Sequence, residues 1–178
     1  MSTPEHVVLM AHYNAWMNAK VYETAAALSP EALALDRKAF FKSILGTLNH
    51  IVVADTLWLK RFAMHPSHPA ALDPVRALES PTALNQILFN DLSSLAAHRK
   101  MLDGVINAWA ATLTETDLRQ GLRYANTRGE QFTRRFSSLI MHFFNHQTHH
   151  RGQATALLMQ AGLDVGVTDL LALIPTTP

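Results

Sequence analysis

FSSLIMHFFNHQTHHRGQATALLMQA, residues 136–161, carries apolar side chains at helical spacing along its whole length and stops at Gly162, a natural residue to end a helix. At 100° per residue from Phe136, the residues Ile140, Phe143, Ala154, Leu157, Leu158 and Ala161 fall within roughly 60° of it and define the core-facing side. The stretch also holds histidines at 142, 146, 149 and 150, giving the i,i+4 pairs His142/His146 and His146/His150. His150, at about 320°, lies inside the core face and His146, at about 280°, on its shoulder; His142 and His149, near 240° and 220°, turn toward solvent. The inward pair is therefore His146/His150.

Three more long helical stretches are legible. The first runs from about Pro4 to Leu28, closed by Ser29-Pro30, which itself starts a short helix with Ser29 as cap. The second runs from about Ala39 to Met64, before the proline loop HPSHPAALDP. The third is expected to open at Ser80-Pro81 and to carry Leu84, Leu88, Leu92, Leu95, Leu102, Ile106 and Trp109. Between the third and fourth, LRYANTRGEQFTRRF places a turn at Asn126-Thr127-Arg128-Gly129 between short runs with Tyr124 and Phe132, a small hairpin or extended loop. In the tail, TDLLALIP offers Thr168 as the cap of a last turn. A short internal match, ILGTLNH at 44–50 against IMHFFNH at 140–146, suggests a helical pair used twice. The expected fold is all-α, a four-helix bundle in a single domain covering residues 1–178.

Composition narrows the function. Of 178 residues 48% are hydrophobic and 16% charged, which supplies a core and excludes disorder. The net charge is +1 and no Lys/Arg block exceeds short pairs such as Arg134-Arg135, which speaks against nucleic acid as the main partner. Without cysteine there is no disulfide, no thiolate ligand and no thiol nucleophile from the chain itself. No run approaches the ~18 apolar residues of a membrane span, and the N-terminus lacks the pattern of a signal peptide, so a soluble cytoplasmic protein is expected.

Two inward imidazoles four residues apart can converge on one ion; left without it, each needs a hydrogen-bond partner and neither is easily protonated in a low-dielectric core. A third ligand is needed. His50 occupies the position matching His146 in the repeat, among the small residues Ser43, Gly46, Thr47 and Ala54. Alone it reads as a satisfied interfacial histidine; beside the inward pair the ligand reading is stronger. Asp55, on the stripe of Ile44, Leu48, Ile51, Trp58 and Phe62, is expected to be buried and to need a partner, either Arg151 or a ligand histidine it would orient. A structural salt bridge is favoured over a catalytic base. His65 and His68 are placed in a solvated loop, His98 on a polar strip with Arg99 and Lys100, and His12, beside Tyr13 and Trp16, in packing in preference to lining a pocket. Trp16, Trp58 and Trp109 are read as core. Asn49, Asn145 and Gln153 are polar groups placed to orient a substrate.

The chain resembles the DinB-like family of bacterial four-helix-bundle proteins, named for damage-inducible members. The resemblance runs through YNAWMNAKV, FFKSILGTLNHIVVADTLWLKRF, RYANTRGEQFTRRF, FFNHQTHHRGQATALLMQAGL and TDLLALIP, nearly the whole chain. The family's pattern of one helix-two histidine plus an HxxxH pair falls on His50, His146 and His150. It implies a divalent metal ion, zinc or nickel, held by three imidazoles with open positions, and a homodimer. Some relatives use such an ion to activate a low-molecular-weight thiol for transfer to electrophiles. The resemblance thus implies a stress-related thiol transferase, or a hydrolase activating water, acting on a small-molecule thiol or electrophile. The alternative is a non-catalytic protein whose metal is structural or sensory. No individual catalytic residue is identified.

Overall fold

The computed structural model describes residues 3–67 and 69–176. Four long helices carry the core: α1 (Pro4–Ala25), α3 (Ile44–Phe62), α5 (Leu92–Ala110) and α7 (Phe136–Gln160). Three short ones, α2 (Pro30–Ala34), α4 (Asp73–Arg76) and α6 (Glu115–Arg119), lie in the connections. β1 (Gly121–Ala125) and β2 (Gln131–Arg135) form an antiparallel hairpin with Tyr124 opposite Phe132, as the Asn126–Gly129 turn implied. Gly129 has φ +81, the left-handed backbone that the turn requires.

The main packing neighbours are α1 with α5 and α7, and α3 with α7 and α5. α1 and α3, and likewise α5 and α7, thus sit diagonally across the bundle, whereas the consecutive pair α3 and α5 lies side by side. Phe62 joins the layers, stacked on Trp109 at 5.2 Å and meeting Phe136 and Phe143 edge-on at 5.3 and 5.5 Å. Trp109 is fully buried, whereas Trp16 and Trp58 are half-buried. Among the described residues no helix is long and apolar enough to cross a membrane.

Helix ends follow their caps. Ser43 Oγ accepts from the Gly46 amide at 2.9 Å and starts α3 five residues later than the apolar pattern suggested, because Lys38 and Lys42 hold positive φ (59 and 65) and break any earlier helix. α5 starts later still, at Leu92 instead of Pro81, with Asp91 Oδ1 accepting from the Ser94 amide at 2.8 Å. Leu84 and Leu88 are therefore outside it. The physical reason is Asn49: its Oδ1 accepts from the amides of Leu88 and Phe89 (2.8 and 3.0 Å) and its Nδ2 donates to the Phe89 carbonyl at 3.0 Å. Backbone groups satisfied by a buried side chain need no helix. α7 matches its expected bounds to within one residue, with Gly162 at φ +84 just beyond it. Thr168 does not cap the final turn, a 3-10 segment at Leu170–Leu173; instead its carbonyl accepts from Tyr13 Oη at 2.7 Å, tying the tail to α1.

Candidate metal centre

α3 and α7 lie against one another, and that contact brings His50 to His146 and His150. His50 Nε2 is 3.3 Å from His146 Nε2 and 3.2 Å from His150 Nε2. One ligand atom from each of the three lies within 4.8 Å of the others, so the trio can hold a metal ion. Bonds of 2.0–2.1 Å at tetrahedral angles put ligand nitrogens about 3.3 Å apart, which matches both measured separations.

Hydrogen bonds at the far side of two rings set their protonation. His50 Nδ1 is 2.8 Å from the Leu84 carbonyl, which can only accept, so the proton is on Nδ1 and Nε2 carries a lone pair. His150 Nδ1 likewise faces Gln153 Oε1 at 2.8 Å, while Gln153 Nε2 turns to His149 Nε2 at 3.3 Å. Two lone pairs therefore point at each other across 3.2 Å. That contact is repulsive unless a positive charge sits between them.

Protonation is a poor source of that charge. Burial, together with the positive charge a neighbouring imidazolium would bring, lowers His146 to about 3. Burial likewise lowers His50 to about 4, against the opposing bond to Leu84, and lowers His150. The cluster is neutral near pH 7 and its nitrogens are free to ligate. Phe41 closes one side, stacked on His50 at 3.8 Å and edge-on to His150 at 5.5 Å. Phe41 and the Leu84 carbonyl are parts of this site that periodicity could not reveal, since both come from irregular segments. Gln153 was detectable as the residue one turn beyond His150.

His50 is only 4% exposed and His146 and His150 are half-buried, while His142 and His149, which the wheel turned toward solvent, are exposed. His142 stacks edge-on with Trp58 at 5.0 Å. Two of the three expected substrate-orienting groups have other work. Asn49 is fully buried and pins the segment before α5, Gln153 orients His150, and exposed Asn145 lines a groove between α1 and α7 with His6.

Asp55 is buried, but its partner is not Arg151. Asp55 Oδ2 accepts from Arg99 Nη1 at 2.5 Å and Gln147 Nε2 at 2.7 Å. Arg99 also pairs with Asp103 at 2.9 Å, and Asp103 Oδ1 accepts from Asn14 (3.0 Å) and Asn18 (2.9 Å). Arg151 donates instead to Asn14 Oδ1. Two acids, two arginines and their amide partners form a polar layer across α1, α3, α5 and α7. Arg99, 2% exposed, is thus no surface residue, and the signal was present: 99 falls on the stripe of Leu95, Leu102 and Ile106. His65 is another correction, fully buried and stacked on Phe136 at 4.1 Å, since the loop after α3 folds back over the α7 N-terminus. His12 is exposed and lines a groove with Leu9, Leu113 and Leu173 rather than packing, and His98 is half-buried against Phe89 at 5.1 Å. His68 lies outside the described residues.

The DinB family profile matches residues 1–177. Protein DinB of Bacillus subtilis (strain 168) is 27% identical over 158 residues, covering 88% of this chain and 87% of that one. The crystal structure of a DinB-like protein from Bacillus cereus ATCC 10987 superposes with a TM-score of 0.62 at 23% identity, covering 93% of this chain and 97% of that one, a likeness of fold.

Proposed function

We propose that this chain, which belongs to the DinB family, holds a divalent cation, zinc or nickel, between His50, His146 and His150 and uses it to activate a small thiol or water against an electrophile. The observation that carries the reading is the facing pair of lone pairs on His50 and His150, 3.2 Å apart, each fixed by an acceptor on the opposite side of its ring. Imidazole donors suit zinc and nickel among available ions. Three neutral ligands leave the ion's charge uncompensated and positions open, and such an ion makes a thiol or water a nucleophile near neutral pH.

The chain's own residues hold and shield. Leu84 and Gln153 fix the ring orientations, Phe41 keeps water from one side, and the absence of cysteine requires the nucleophile to come from outside. Among the described residues the cluster comprises these three side chains alone, which favours an open centre over a closed structural one. The stress-related role and the homodimer implied by the family belong to the same proposal.

Purified protein, stripped with chelator and reloaded with zinc or nickel, is offered a panel of electrophiles with glutathione, bacillithiol, mycothiol or water. Metal-dependent turnover with any nucleophile is expected. Metal uptake without turnover on the whole panel would leave a structural or sensory ion, and the enzymatic part of the proposal would fall. Sedimentation velocity reads the dimer.

A further inference from the structure

Next to the histidine cluster, α3 and the hairpin assemble a second set of groups that the metal reading does not use. The Arg61 guanidinium lies over Trp58 at 4.6 Å and near Tyr124 at 5.6 Å; the Arg134 guanidinium lies over Phe132 at 5.2 Å. The rings beneath them are continuous: Trp58 to Tyr124 is 5.5 Å and Tyr124 to Phe132 is 5.9 Å. From Trp58 the chain of rings passes through His142 (5.0 Å) to His146 (6.0 Å), one of the three clustered histidines. Both guanidiniums bear electrostatically on His142.

Neither arginine has a carboxylate within ion-pair distance among the described residues, unlike Arg76, Arg99 and Arg119, which each have one. Arg61 is half-buried and its pKa is lowered, first by desolvation. A partly desolvated guanidinium without a carboxylate partner attracts an anion strongly, and its planar fork suits two oxygens at once. The ring faces attract the guanidiniums electrostatically without neutralising their charge.

We infer that Arg61 and Arg134, on the aromatic floor of Trp58, Tyr124 and Phe132, form an anion subsite that takes the carboxylate or phosphate end of a small acidic ligand. That this subsite serves the histidine centre rests on the metal proposal; that it binds an anion does not. The substrate class it selects is a small acid whose charged end is held by the arginines and whose other end extends past His142 toward His146.

The test uses chelator-treated protein, so that it is independent of metal. Succinate and inorganic phosphate are titrated at low salt, with heat and tryptophan fluorescence as readouts. Saturable binding is expected for at least one, weakened by about tenfold or more in Arg61→Gln and Arg134→Gln. Arg134 is exposed, so its replacement leaves the fold intact should Arg61→Gln not. The protein is metal-free throughout, so saturation here neither requires nor reports on the histidine centre, and the two proposals fail separately. The inference is overturned if neither anion saturates, if both arginine variants bind as the wild type does, or if a short oligonucleotide binds where succinate and phosphate do not.

Discussion

His50 shows how one side chain can be specified from three directions. Its Nδ1 is held by the Leu84 carbonyl, its face by Phe41, and its Nε2 points at two other imidazoles. Partners that fix a ligand ring are worth about 10–100-fold in metal affinity. Gln153→Ala is therefore expected to weaken zinc binding by about tenfold or more while the protein stays folded, as measured by competition with a chromophoric chelator. The same substitution at solvent-facing Asn145 is expected to have no effect. A different logic governs Arg99, which lies between Asp55 and Asp103 and is almost fully buried. Removing it leaves two carboxylates buried without their cation. Arg99→Met is expected to lose about 3–5 kcal/mol in urea unfolding, as for other broken buried pairs. A loss under 1 kcal/mol would mean that the polar layer contributes little.

At the scale of elements, legibility followed regularity. α7 could be placed to within one residue because apolar positions at helical spacing flank its polar middle, Phe136 to Phe144 before it and Ala154 to Leu158 after it, and Gly162 follows. The hairpin was legible from its turn residues. The segments before α3 and α5 were not, because their apolar residues continue a helical spacing while side-chain hydrogen bonds impose another conformation. That is why α5 was expected to begin at Pro81, and why Phe41 and the Leu84 carbonyl went unseen although His50 did not. A long-range contact through Asn49 decided the segment before α5, and the local Ser43 cap with the positive-φ lysines decided the one before α3. Two consequences are measurable. Asn49→Ala strips the Leu88 and Phe89 amides of their acceptor and is expected to cost about 1–3 kcal/mol, with a fall in metal affinity as Leu84 loosens. Gly46 is constrained differently: a Cβ there would clash with the Phe41 carbonyl oxygen. Gly46→Ala is expected to destabilise by about 1–3 kcal/mol in urea and to displace Phe41 from His50. An Ala variant as stable as the wild type would show that the turn before α3 shifts freely.

The whole molecule places polar chemistry at two depths. Deep between the four long helices lies the layer of Asp55, Arg99, Asp103, Arg151 and their amide partners, whose charges balance. Where α3 meets α7 lies the neutral, electron-rich histidine cluster. Gln147 connects the two, bonding Asp55 from the position next to His146, so the buried layer fixes the rotation of α7 about its axis. An ion bound only by the folded chain stabilises it by mass action, by about 2.7 kcal/mol at one hundred times its dissociation constant. Zinc or nickel at that excess is expected to raise the thermal midpoint of chelator-treated protein and to leave His50→Ala unmoved. The most direct test is the number of ions retained per chain, by elemental analysis after dialysis against a loaded buffer, in the wild type and in single alanine variants. One ion is expected in the wild type, His142→Ala and His149→Ala, and none in His50→Ala, His146→Ala or His150→Ala. No ion in the wild type, or one ion in all three of the latter variants, would contradict it.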